Sequence, residues 1–185
     1  MLHIRNLNKT FGANEILKDI DLDVSAGEIV ALVGPNGSGK TTLLNIIRGK
    51  LKPTLGNIVI EKDVNISFVP QENPQEDISV KEYLIKSHPK IHEIFKALEK
   101  SRNKPACYAN NVDKYFEIGG YELEDRLMKF INRFNFDPDD LSKSYNTFSE
   151  GQKRLWTILR ALLKNSKLFC WMNPQIILVL RCALN

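Results

Sequence analysis

Residues 34–42 read GPNGSGKTT, and no other stretch of this chain restricts its folding so tightly. The pattern GxxxxGK[ST] falls between an apolar run, EIVALVG at 28–34, and the helix-periodic segment TTLLNIIRGKL. Glycines at these spacings let the backbone curl with its amides pointing inward, and a helix N-terminus beyond them adds positive potential. The order is therefore buried strand, anion-cradling loop, helix. Gly34, Pro35, Asn36, Gly37, Ser38 and Gly39 are expected to wrap the phosphates of a nucleotide, with Lys40 neutralising the β- and γ-phosphates. The Thr41 hydroxyl suits a Mg²⁺ ion, while Thr42 and the backbone amides suit the α- and β-phosphates.

The surroundings supply the remaining elements. Residues 2–7 and 16–24 alternate as strands do and are separated by a turn region containing Gly12, which fits a small antiparallel layer. NIVIE and the short run at 66–69, stopped by Pro70, add two more strands. From about residue 79 to 147 the pattern turns helical, with KEYLIK, IHEIFKALEK and YELEDRLMKFINRF placing apolar residues three and four apart. The polar stretch SRNKPACYANN, 101–111, is expected to be a flexible connection within this insertion. A helix from about 149 to 164 then leads into LFCW, a returning core strand, and no internal repeat is present.

At 185 residues and 43% hydrophobic content, the chain can form one domain with a sizeable core, or the larger part of a split one. No run approaches the roughly 20 apolar residues that span a bilayer. The start, MLHIRNLNKTFG, has no apolar leader region, so a cytoplasmic location is expected. Cys107, Cys170 and Cys182 make neither a metal set nor a disulfide framework. The net charge of +4 is compatible with an anionic partner but is shared by many ordinary domains.

With these pieces in order, the chain resembles the ABC (ATP-binding cassette) family from residue 2 to about 168. Phe11, in KTFG, stands where the family carries an aromatic residue that stacks on adenine; the alternative for Phe11 is core packing. Gln71, in FVPQE, resembles the glutamine whose amide oxygen reaches the metal. FSEGQ, 148–152, looks like the family signature LSGGQ, with Ser149, Gly151 and Gln152 retained and Glu150 replacing a glycine. In the family this serine and glycine bind the γ-phosphate of ATP held by an opposing cassette. Glu150 therefore puts a carboxylate beside a phosphate unless it turns outward as an exposed N-terminal helix residue. The resemblance implies a P-loop NTPase of the α/β class, ABC ATPase-like, with an antiparallel β layer, a helical insertion and an incomplete C-terminal part of the core. It implies ATP and Mg²⁺ as cofactors and a second cassette as partner.

The short step from NIVIE to ISFVPQE and the charged helix before the signature look most like the ABC-F subfamily, whose members act on the ribosome as translation or antibiotic-protection factors. That subfamily implies a ribosome or rRNA partner. The alternative is the ATP-binding subunit of a membrane transporter, docking on a transmembrane subunit; neither implies DNA.

The chain departs from the family after Phe169. Where an Asp-Glu pair is required, to hold the Mg²⁺ shell and position the attacking water, Met172 and Asn173 stand, followed by Pro174. His3, His88 and His92 all precede the signature, so the family's later switch histidine is missing too, and no catalytic residue is retained. Trp171 and Met172 each have one codon. Read from the last base of the Cys170 codon, the neighbouring frame is forced to Leu-Asp-Glu and permits Pro-Thr-Asn-His-Leu. We therefore expect 1–169 to be a partial nucleotide-binding domain and 170–185 a tail left by a one-base deletion.

Overall fold

The computed structural model describes residues 2–25, 28–62, 64–70, 72–164, 166, 168–172 and 176–180. They fall into two compact units, the described residues of Met1–Glu72 with Asn165–Asn185, and Asn73–Lys164.

In the first unit, β1 (Leu2–Phe11) and β2 (Asn14–Val24) form an antiparallel hairpin in which Leu2 opposes Val24 and Phe11 opposes Asn14. Shifts in register occur midway, where Asn6 and Asp19 adopt positive φ, a conformation their short polar side chains tolerate. Side chains secure the irregularity, with Asn8 exchanging hydrogen bonds with Asp19 and the Asn6 amide donating to Asp21 at 2.7 Å. β4 (Leu55–Ile60) pairs antiparallel on the other edge of β1, adding a third strand to the antiparallel layer expected from residues 2–7 and 16–24.

The second sheet has the order β3 (Ile29–Val33), β7 (Ile176–Leu180), β6 (Leu168–Met172), β5 (Ile66–Val69). β5 and β6 are parallel, a pairing that needs a long crossover, and Asn73–Lys164 lies between them in the chain. β7 follows β6 after three residues and is therefore antiparallel both to β6 and to β3. Between the sheets' inward residues and α1 (Lys40–Ile47) lies a core of Leu2, Ile4, Leu7, Leu17, Leu43, Leu44, Ile47, Leu168 and Cys170. α1 contributes because Leu43, Leu44, Ile46 and Ile47 share one helical face.

β3 differs from its sequence reading. Its unbroken apolar run predicts burial on both faces, yet Ile29 and Val33 are 67% and 75% exposed while Val30 and Leu32 turn inward. Among the described residues no layer covers its outer face.

The second unit is helical. α2 (Val80–Ile85) starts at Ser79, whose hydroxyl accepts from the Glu82 amide. α3 (Pro89–Ser101), α4 (Pro105–Glu117) and α5 (Gly120–Arg133) follow, then two 3₁₀ turns (Pro138–Ser142 and Tyr145–Thr147) and α6 (Glu150–Leu163). The flexible connection expected at 101–111 is corrected here, because α4 begins inside it. Pro105 occupies the first turn, where its fixed φ suits the helix and its missing donor costs nothing. The polar composition misled because α4 buries little beyond Tyr115. The core of this unit is aromatic: Trp156 is fully buried, stacked on Phe136 at 4.0 Å and edge-on to Phe148 at 5.7 Å, and Tyr83 and Tyr145 are fully buried beside it. No helix among the described residues is long and apolar enough to cross a membrane.

Candidate functional site

β3 delivers the chain into the glycine loop, and α1 carries it away. Gly37 and Gly39 have φ of +85° and +87°, so the turn is built from conformations that residues with a side chain avoid. Gly39 also lies tightly against β2: a Cβ there would lie 2.9 Å from the Ile16 carbonyl oxygen and 2.7 Å from Leu17 Cδ2. Because Gly39 caps α1 without a side chain, the first amides of the helix receive no capping bond from it. Lys40 curls back over the loop, donating to the carbonyl oxygens of Gly34 at 2.6 Å and Pro35 at 2.7 Å. Its ammonium reaches the Ser38 hydroxyl at 3.4 Å. Thr41 is exposed at the helix start and Thr42 half-buried.

Amides at a helix N-terminus, an ammonium over the loop and an exposed hydroxyl beside it form a donor set suited to an oxyanion. A nucleotide's phosphates fit these donors, and Thr41 is the oxygen ligand on offer to a Mg²⁺ ion accompanying them. Phe11 is 48% exposed, which rules out the core-packing alternative. It pairs with Asn14 at the hairpin tip, and Ile16, two residues on, abuts Gly39, so the ring belongs to the same end of the unit as the loop. Lys9 Nζ lies 4.9 Å from its centroid. Gln71 lies outside the described residues.

The signature residues lie at the start of α6. Ser149 is the N-cap: its hydroxyl accepts from the Gln152 amide at 3.3 Å, and the Gln152 side chain accepts from the Ser149 amide at 3.0 Å. This reciprocal box is the physical reason the sequence S-E-G-Q starts a helix. A Cβ on Gly151 would meet nothing within 4 Å, so the helix end is open there. Glu150 is held by two partners, Asn73 Nδ2 at 2.9 Å and Lys153 Nζ at 3.0 Å. Hydrogen bonds from Asn73 and then Lys153 keep its carboxyl below the ordinary glutamate range. Sequence reasoning missed both partners. Lys153, three residues on, was the legible signal; Asn73 carried none.

Met172 ends β6, placing it at the strand terminus where the resemblance requires the Asp, while Asn173 and Pro174 lie outside the described residues. The three histidines are engaged elsewhere, His3 with Asp23, His88 with Ser87 and His92 with Glu82.

The family model described as ABC transporter matches residues 17–175. Among curated proteins, the spermidine/putrescine import ATP-binding protein PotA of Clostridium acetobutylicum is 28% identical over 174 residues, covering 94% of this chain and 45% of that protein. The zinc import ATP-binding protein ZnuC of Buchnera aphidicola subsp. Schizaphis graminum is 29% identical over 179 residues, covering 94% and 60%. The chain thus spans about half the length of these relatives. The structure of an ATP-binding subunit of an ABC transporter superimposes with a TM-score of 0.70 at 23% identity, covering 94% of this chain and 66% of that one. CbiO1 from Clostridium perfringens, part of the ABC transporter complex CbiONQ, gives 0.65 at 22% identity, covering 92% and 64%. The fold is that of the P-loop ABC ATPases, mixed α/β with an antiparallel sheet.

Proposed function

Because the chain belongs to the ABC transporter family, we propose that it is the nucleotide-binding part of an import-type ATP-binding subunit, working on the cytoplasmic side of a membrane against a transmembrane partner. The observation that carries this reading is the loop at 34–42, with Lys40 folded over it and the open start of α1 behind it. Lys40 would hold the β- and γ-phosphates of ATP, Thr41 and Gln71 the Mg²⁺ ion, and Phe11 the adenine. The ion would neutralise charge between the phosphates. A second cassette would complete the site through Ser149 and Gly151 of its own signature.

The relatives are import ATP-binding proteins, which favours this reading over the ribosome-associated one expected from the sequence. Their named cargoes, a polyamine and a metal ion, differ, so the proposal concerns the ATP-binding half alone. Hydrolysis is impaired, because a thioether and an amide at Met172 and Asn173 can neither order a metal shell nor act as base toward water. The tail from Cys170 is the product of a lost base. Codons for 170–177 that cannot give Leu-Asp-Glu-Pro-Thr-Asn-His in the neighbouring frame would remove that part of the reading.

Copurification from cells tests the partner. The transporter reading expects the tagged chain to bring down a membrane subunit; sedimentation with ribosomes instead would overturn it in favour of the ABC-F reading.

A further inference from the structure

The acidic residue in the signature is the feature the proposed function does not absorb. A carboxylate at the first position of α6 would compete with, or repel, the phosphate that the helix amides are read as binding. The geometry shows where it goes. Asn73 Nδ2 donates both to Glu150 Oε2 and to the Glu150 backbone carbonyl oxygen, each at 2.9 Å. Carbonyl oxygens in a helix point toward its C-terminus and Lys153 lies one turn further along α6, so both contacts draw the carboxylate along the helix rather than over its N-terminal amides. Both groups contacted are acceptors, which fixes the Asn73 amide with its NH₂ toward Glu150. The other carboxylate oxygen accepts from Lys153 Nζ at 3.0 Å. Lys153 has only 9% of its side chain exposed, whereas that of Glu150 is 70% exposed, so the lysine comes from the packed side of α6 and anchors a solvent-facing acid.

We infer that Asn73 and Lys153 are positioning residues that turn the Glu150 carboxylate back along α6 and neutralise it, keeping the amides of Glu150 and Gly151 available to the terminal phosphate on a second cassette. This rests on the reading of 148–152 as a cassette-pairing signature. Without the clamp, the carboxylate is free to swing to the helix start, where the macrodipole attracts it and where it excludes the phosphate.

The experiment is Mg-ATP-dependent self-association of the purified chain, followed by sedimentation for the unaltered protein, Lys153→Met, Asn73→Leu, Glu150→Gln and Lys153→Met/Glu150→Gln, each with its helical circular dichroism and its affinity for Mg-ATP. Lys153→Met and Asn73→Leu are expected to weaken association tenfold or more with Mg-ATP affinity unchanged, and adding Glu150→Gln is expected to restore it. A purely packing role for Lys153 would leave the double variant as weak as Lys153→Met, and that result overturns the inference, as does undiminished association in both clamp variants. Absence of Mg-ATP-dependent association in every variant, Glu150→Gln included, overturns the cassette-pairing reading itself and this inference with it.

Discussion

Leu178 of β7 pairs with Ala31 of β3 in an antiparallel ladder, and on its other edge the same residue pairs with Trp171 of β6. β7 is therefore a central strand, and β3, which runs directly into the phosphate loop, is held by it. A segment expected to be a tail foreign to the family thus supports the strand that leads into the glycine loop. Leu178→Pro removes a ladder donor from a central strand and leaves its carbonyl partner unsatisfied, a loss expected to cost about 1–3 kcal/mol. Mg-ATP affinity should fall with it. Urea unfolding and nucleotide titration of the variant check this; an unaltered midpoint and affinity would mean that β3 does not need β7.

The loop glycines should separate by cause. Gly37→Ala meets no neighbour within 4 Å and carries only the left-handed backbone penalty, about 1–2 kcal/mol. Gly39→Ala carries that penalty and also drives a methyl into Ile16 and Leu17, adding overpacking of about 1–3 kcal/mol. Denaturation midpoints in the order unaltered, Gly37→Ala, Gly39→Ala are expected. Equal losses would show that the approach of β2 to the loop is not tight.

Burial pushes the Cys170 thiol up to about 12, against an ordinary value near 9, whereas Cys107 is exposed. Iodoacetamide labelling with peptide mapping should modify Cys107 in the native protein and Cys170 only on unfolding. Because the folded pKa is raised, the contribution of Cys170 to stability is complete below about pH 9 and is lost as pH climbs toward 12. Cys170→Ala should flatten the fall in stability between those limits. Labelling of Cys170 at the rate of Cys107 at pH 8 would contradict its place in the core.

The purified chain should show no ATP turnover above that of Lys40→Ala. Met172→Asp/Asn173→Glu, assayed with an intact partner cassette, should raise turnover by roughly tenfold or more, since a positioned base contributes at least that much. Robust, Lys40-dependent hydrolysis by the unaltered chain would show that the two substitutions do not disable the site.

The strongest local signals were read correctly, whereas a weakly patterned helix and the non-local contacts were not. GPNGSGKTT fixed a strand, loop and helix because glycine conformation, lysine and helix start all act within nine residues. The helix expected from about 149 begins at Ser149, where the structure shows a capping box with Gln152 that spans only four residues. α4 was hidden because its helix rests on Pro105 and one buried tyrosine rather than on an apolar stripe. The outer face of β3 misread for the opposite reason: its residues are apolar enough for two-sided burial, and only the assembled sheet shows which side is covered. Asn73 reaches Glu150 across 77 positions of chain, a relation no periodicity encodes.

The central claim is that the curled backbone at 34–42, with the Lys40 ammonium above it, binds the phosphates of ATP. Isothermal titration of Mg-ATP into the unaltered chain and into Lys40→Ala tests it most directly. The account predicts saturable one-site binding that weakens by about a hundredfold or more in the variant, the loss expected when a buried phosphate charge forfeits its ammonium. Binding that is equal in the two proteins, or absent from the unaltered, folded chain, would contradict it.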